Sequence, residues 1–190
     1  MTNSKKYDCL CCGIIVADHV CDPIDHLPRA GELVTSPRLS LSIGGCAANV
    51  AVDLARLRHS VGVVGVIGQD IFGRFVREFL EQAGVDCNTI VESKTEQTSG
   101  TLIVNVQGED RRFIHTVGAN AEFTAENIPA DLLKNTRILY LGGYCLSETL
   151  KAENVAAMFR EAQQAGVITL LDVVIPHPGE YWSRIEPVLK

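Results

Sequence analysis

The stretch Gly44-Gly45-Cys46-Ala47-Ala48-Asn49-Val50-Ala51 joins a glycine pair to the start of a helix-like segment. Because glycine has no Cβ, a ligand can approach its backbone closely. A helix start offers unpaired N–H groups and the positive end of the helix dipole, and the Asn49 amide can donate and accept hydrogen bonds. This combination suits a polar, hydroxyl-rich or anionic ligand. A glycine pair before a helix is more often only a tight turn, so the neighbouring residues decide its meaning.

Two carboxylates, Asp18 and Asp172, each follow an apolar run. Ligands of open parallel sheets bind outside the carboxyl ends of the strands, so both are candidates for binding. Each could equally be a turn or cap residue, and for Asp172 the two interpretations are balanced. For Asp18 the glycine pair favours binding. Since an ionised carboxylate only accepts hydrogen bonds, Asp18 beside Asn49 and free N–H groups would hold several hydroxyls of one sugar.

Other chemistries lack their motifs. The five histidines are scattered without an i, i+4 pair, and the sequence has no Walker A motif, dinucleotide-binding glycine motif or nucleophile elbow. Of the seven cysteines, Cys9 and Cys12 formally make a C-x-x-C, but no second pair lies at zinc-ligand spacing. We therefore predict no metal site and interpret the cysteines as reduced, buried thiols of a cytoplasmic protein.

The composition excludes further classes. The chain has 190 residues, enough for one domain with a core, and a net charge of −6 from interspersed charges. That charge argues against nucleic acid as a partner. No apolar run approaches the ~20 residues that span a bilayer, which argues against a membrane protein, and the first residues do not resemble a secretory signal.

The periodicity predicts an α/β fold with a parallel sheet. The apolar run 9–16 is typical of a central strand buried on both faces, and a loop should begin near Cys21. A helix follows over 46–57, with Val50, Leu54 and Leu57 on its inner face, then a buried strand over 61–67. Asp70 should cap a helix over 71–83 whose inner face includes Ile71.

The pattern then changes. Residues 99–106 and 111–116 flank a turn and predict a β-hairpin that stands off the main sheet as a lid would. Short strands are expected at 33–34 and 39–43. The α/β rhythm resumes with a strand over 137–141, a helix from about 148, a buried strand over 167–172 and a final helix over 180–190.

These segments resemble a known family. Asp18, the 27–32 segment, the 44–51 segment, Gly68-Gln69-Asp70-Ile71-Phe72-Gly73, the hairpin and Gly118-Ala119-Asn120-Ala121 look like the amino-terminal half of ribokinase-like sugar kinases, the PfkB carbohydrate kinase family. The resemblance implies an α/β fold with a mainly parallel sheet flanked by helices. It also implies a small β-lid made from segments of about 19–43 and 98–117, which is often a homodimer contact.

Members of that family phosphorylate a sugar or nucleoside hydroxyl with ATP and Mg²⁺. The resemblance implies the same cofactors here and also allows a monovalent cation. The resemblance implies that Asp18 and Asn49 bond sugar hydroxyls, that Gly44 and Gly45 let the loop lie against the sugar, and that Asn120 lines the substrate side. Val16 departs from the asparagine found in many ribokinase-type members, which argues against ribose itself.

Arg58 is a second departure, because it replaces a glycine common in the family. If Arg58 takes the left-handed conformation, the strain is about 1 kcal/mol. The alternative is a re-routed loop at His59-Ser60.

The family's second signature, Asp-Thr-x-Gly-Ala-Gly-Asp, and its Asn-x-x-Glu motif do not occur in the sequence. We therefore expect a single, truncated α/β kinase domain over residues 1–190 that carries the sugar side, with the catalytic base and the anion hole elsewhere. Such a chain should expose apolar surface near 167–171. The alternatives are a non-catalytic sugar-binding or regulatory domain, and a nucleoside kinase of the same superfamily.

Overall fold

A computed structural model describes residues 5–176 and 178–190, which form two sheets and five α-helices. The strands are β1 (Tyr7–Gly13), β2 (Val16–Ile24), β3 (Leu39–Gly44), β4 (Val61–Gly68), β5 (Asp86–Ser93), β6 (Gly100–Val106), β7 (Arg112–Thr116), β8 (Thr136–Tyr144) and β9 (Ile168–Val173). The helices are α1 (Cys46–Arg56), α2 (Ile71–Gln82), α3 (Ala130–Lys134), α4 (Ala152–Gln164) and α5 (Trp182–Leu189).

The main sheet has the order β5-β4-β1-β8-β9 and all its neighbouring strands are parallel. β4 is buried along its whole length and β1 nearly so, because helices cover both faces. α1 and α2 pack on one face, and α3, α4 and α5 pack on the other. The predicted parallel α/β fold is thereby confirmed.

The second sheet has the order β3-β2-β6-β7 and is mixed: β2 pairs with β6 in parallel, and the two outer pairs are antiparallel. It contains the predicted hairpin as β6 and β7. Every residue of β7 is exposed, so this sheet has far less cover than the main one.

The apolar run 9–16 is not one strand, which corrects the prediction. β1 ends at Gly13, whose φ of 132° turns the chain, and β2 begins in the second sheet at Val16. A Cβ at Gly13 would meet the backbone of Gly142, so glycine is needed at this last pair of residues between the parallel strands β1 and β8. Consequently Asp18 lies within β2 rather than at the end of a main-sheet strand, and the loop expected from Cys21 starts after Ile24.

Other corrections concern strands and burial. β5 was missed, and residues 33–34 are not a strand. β9 had been predicted as a buried strand, but it lies at the edge of the main sheet and is partly exposed, with Ile168 at 60% exposure. The apolar exposure expected near residues 167–171 is thereby confirmed. Leu57 and Ile71 are also mostly exposed, because Leu57 lies beyond the last turn of α1 and Ile71 is the first residue of α2.

Asp70 confirms its predicted role as helix cap and has a further one. Its Oδ1 accepts a hydrogen bond from the backbone N–H of Gly73 at 2.8 Å. The same carboxylate accepts from the backbone N–H and from the hydroxyl of Thr98, each at 2.7 Å. Thr98 precedes β6, so Asp70 joins α2 to the second sheet.

Arg58 takes the left-handed conformation, with φ at 66°. This is the first of the two alternatives that the sequence left open. All seven cysteines are free thiols, and six of them are buried, in agreement with their interpretation as small apolar residues.

Candidate functional site

Asp18 and Gly44 lie against each other where β2 pairs with β3. A Cβ at Gly44 would lie 2.6 Å from the Asp18 carboxyl carbon and would overlap its oxygens. Only glycine leaves room for the carboxylate at this position. Burial raises the pKa of the Asp18 carboxyl, and a hydrogen bond from Thr101 and the nearby His115 and His19 oppose that rise.

Gly45 places the start of α1 beside this carboxylate. Its φ is 91°, and a Cβ there would meet the backbone of Ile14 and Ile15. α1 has neither a side-chain cap nor an acidic residue in its first turn, so its first N–H groups lack a partner from a capping side chain. Asn49 is exposed in that first turn. These groups can donate to a ligand next to a carboxylate that accepts.

Asn120 lies near the glycine pair because its side chain is hydrogen-bonded to the backbone between β1 and β2. It is 2% exposed. Its Oδ1 accepts from the Ile15 N–H at 3.1 Å, and its Nδ2 donates to the Ile15 carbonyl at 2.9 Å. Gly45 packs against the same backbone segment, at Ile14 and Ile15. Asn120 therefore fixes the β1–β2 junction that supports the glycine pair, through hydrogen bonds of both its Oδ1 and its Nδ2.

Sequence reasoning missed Thr101 and His115, which lie beside Asp18. Thr101 on β6 is directly opposite Asp18 and also opposite His115 on β7. The Thr101 hydroxyl lies 3.0 Å from His115 Nδ1. Burial lowers the pKa of the His115 imidazole, and the Asp18 charge partly offsets that. Only strand register reveals this neighbourhood, since the three residues are far apart in the sequence.

Asp172 occupies a separate polar cluster at the end of β9. Its Oδ2 accepts from the Tyr140 hydroxyl at 3.0 Å and from the Gly143 N–H at 3.3 Å. Burial, with a hydrogen bond to Asp172, raises the pKa of the Cys46 thiol to about 12. Cys46 therefore stays protonated, and Asp172 serves to tie β8 and β9 together beneath the start of α1.

Within residues 5–176 and 178–190, no group of three or more His, Cys, Asp or Glu side chains is arranged to hold a metal ion. His177, one of the five histidines, lies outside those ranges. None of the helices in the described part of the chain is long and apolar enough to cross a bilayer.

Comparison with known proteins identifies similar chains. The family description "pfkB family carbohydrate kinase" matches residues 6–185. The 5-dehydro-2-deoxygluconokinase of Clostridium perfringens is 28% identical over 173 residues, which cover 89% of this chain and 49% of that protein. The enzyme of that name from Mesomycoplasma hyopneumoniae is 27% identical over 187 residues, covering 97% of this chain and 53% of that one.

Solved structures show the same fold. A fructokinase from Xylella fastidiosa with bound ATP has a TM-score of 0.77 and 27% identity, over 96% of this chain and 58% of that chain. A ribokinase from Arabidopsis thaliana complexed with ribose and ATP has a TM-score of 0.71 and 22% identity, over 88% and 53% of the two chains. This chain spans about half the length of the curated relatives it matches.

Proposed function

The chain belongs to the pfkB family of carbohydrate kinases, and on that premise we propose that it supplies the sugar-binding side of an enzyme that phosphorylates a sugar hydroxyl with ATP. The observation that carries the proposal is the Asp18 carboxylate packed against Gly44, next to the uncapped start of α1. This arrangement sets acceptors and donors side by side, as a polyol needs.

In this proposal the Asp18 carboxylate accepts hydrogen bonds from sugar hydroxyls, while Gly44 and Gly45 let the sugar approach the backbone. The exposed Asn49 amide bonds a further hydroxyl. Asn120, whose amide is engaged by Ile15, contributes by holding the loop in place. ATP and Mg²⁺ are the co-substrate and the metal implied by family membership, and we assign no residue of this chain to either.

We propose that the second sheet is the lid of this site and forms a homodimer contact in the cytoplasm. One face of the sheet exposes Leu41, Leu102 and Ile114. They lie in one row across the strands, in which His19 is paired with Leu41 on one side and Leu102 on the other, and Leu102 is paired with Ile114. Exposed apolar side chains in register on one face favour contact with a second copy.

The acceptor that we favour is an acidic sugar. The curated relatives are named as kinases of a gluconate derivative, whereas the structural neighbours are named for fructose and ribose. His115 lies opposite Thr101 on the face of the second sheet that carries Asp18, and its imidazole, unlike a second carboxylate, would not repel an acidic substituent.

Calorimetric titration of the 190-residue chain with D-gluconate, D-fructose, D-ribose and adenosine tests the proposal. We expect D-gluconate, the acidic sugar among the three, to bind most tightly, and Asp18→Asn to weaken that binding about tenfold or more, because hydrogen bonds to a charged acceptor are lost. Asp53→Asn, on the exposed side of α1, is the matched control and should bind normally. Binding of adenosine alone would support the nucleoside kinase instead, and undiminished sugar binding by Asp18→Asn would contradict the proposed site.

The non-catalytic alternative is decided by the gene. A reading frame that continues past Lys190 into an Asp-Thr-x-Gly-Ala-Gly-Asp segment supports a kinase, whereas a stop codon there supports a sugar-binding or regulatory domain. ATP turnover by the 190-residue chain alone would contradict our assignment of the catalytic base to another segment.

A further inference from the structure

Four polar side chains form a single row across the second sheet. Ser42 is directly opposite Asp18, Asp18 is opposite Thr101, and Thr101 is opposite His115. Directly opposite residues of neighbouring strands place their side chains on the same face. The row therefore crosses all four strands of the sheet, with Asp18 in its interior.

The charge of Asp18 favours one direction for the hydrogen bonds within the row, because an ionised carboxylate can only accept. Thr101 is directly opposite Asp18 and, in this direction, donates its single proton to the carboxylate. The Thr101 oxygen is then left as an acceptor toward His115 Nδ1, 3.0 Å away. Hence Nδ1 must carry a proton and donate it. In the neutral ring Nε2 is then unprotonated.

We propose that Thr101 and His115 are positioning residues that hold the Asp18 carboxylate in the orientation that receives the sugar. This inference rests on the proposed function for its ligand but not for its geometry. His115 is exposed to solvent, while Thr101 lies between it and the carboxylate. Because Nδ1–H donates in both the neutral and the charged imidazole, the row keeps its hydrogen bonds when His115 gains a proton. His19, on the opposite face of β2, is the other titratable group near Asp18.

Nuclear magnetic resonance tests the geometry without a ligand. In the wild-type chain, ¹⁵N shifts of His115 at neutral pH should show a protonated Nδ1 and an unprotonated Nε2. A carboxyl ¹³C titration should give Asp18 a higher pKa in Thr101→Val than in the wild type, because the hydrogen bond that favours the charged form is lost. Thr101→Ser keeps the hydroxyl and should titrate as the wild type does. A neutral His115 ring with Nε2 protonated and Nδ1 unprotonated, or an unchanged Asp18 pKa in Thr101→Val, would overturn the proposal.

Sugar affinity tests the consequence. With whichever of D-gluconate, D-fructose or D-ribose the wild type binds, Thr101→Val should bind about tenfold more weakly, and Thr101→Ser should bind normally. His115→Phe removes the donor and should weaken binding several-fold, while His115→Asn, which places an N–H near the Nδ1 position, should restore most of it. An amide spectrum of each variant establishes that it folds.

The outcomes separate the two proposals. Wild-type binding that Thr101→Val and His115→Phe leave unchanged would overturn the positioning role and leave the proposed function standing. If none of the three sugars binds, the proposed function fails, and the tautomer of His115 and the titration of Asp18 still decide whether the row exists.

Discussion

β1 and β2 are separated by two residues, yet they belong to different environments. β1 is almost entirely buried between two layers of helices, whereas β2 carries half-buried polar side chains in the second sheet. The same contrast holds for the two sheets as wholes. Packing constrains the residues of the main sheet, and in our proposal a ligand and a partner constrain those of the second sheet. Substitutions should therefore act on stability in one and on binding in the other.

The largest expected effect is on stability in the main sheet. Leu10→Ala in β1 removes a fully buried side chain and should lower the free energy of unfolding by about 2–5 kcal/mol. Leu102→Ala in β6, where the side chain is 42% exposed, should cost under about 1 kcal/mol. Urea denaturation of both variants measures the difference, and equal losses would contradict the contrast between the sheets.

Gly44→Ala should break the site with a smaller loss of stability. The added Cβ overlaps the Asp18 carboxylate, so the side chain must move, at a cost of about 1–3 kcal/mol and with loss of sugar binding. Gly100→Ala is the matched control in the same sheet, because its Cβ would lie 3.5 Å from the Ala17 carbonyl oxygen, an ordinary contact. Thermal unfolding and calorimetric titration compare the two variants, and normal sugar binding by Gly44→Ala would count against the site.

Asp70→Asn should loosen the connection between the sheets. Asparagine still caps α2, but it loses the charged acceptor for Thr98, so we expect a loss of about 1 kcal/mol. Burial raises the pKa of Asp70, but hydrogen bonds from Gly73, Thr98 and Phe72 outweigh it and hold the pKa below its usual 3.8. The stabilisation is thus present above the unfolded pKa and is lost as the pH falls through the lower folded value. Acid unfolding curves should show this component in the wild type but not in the variant.

Arg58→Gly should have the smallest effect and the opposite sign. The left-handed φ of 66° suits glycine, so relief of strain should stabilise the protein by up to about 1 kcal/mol. Arg56→Gly, within the last turn of α1, is the control and should destabilise it by about 0.8–1 kcal/mol. Thermal midpoints of the two variants should move in opposite directions, and a lower midpoint for Arg58→Gly would contradict the strain.

β1, β4, β8 and β9 of the main sheet were predictable because their segments and the helices between them carry strong periodicity that packing then satisfies, whereas the edge strand β5, with its mixed burial, was missed. The boundary at Gly13 was not predictable, because an apolar run continues through it and only the close contact with the Gly142 backbone shows why the chain turns there. Asp18 and the glycine pair were singled out from residue types alone. Thr101 and His115 were missed, since their proximity to Asp18 depends on strand register, which a single sequence does not specify.

The pair of hydrogen bonds between Ile15 and Asn120 has a consequence for biosynthesis. The two residues are 105 positions apart, and chains are synthesised at about 5–20 residues per second. Asn120 therefore leaves the ribosome roughly 5–20 s after Ile15 at that rate. In the later part of that interval, once Gly45 has been added, the nascent chain carries the glycine loop and its carboxylate but lacks the amide that fixes their support. The support of the proposed site is thus completed late, by a segment that follows both strands of the hairpin.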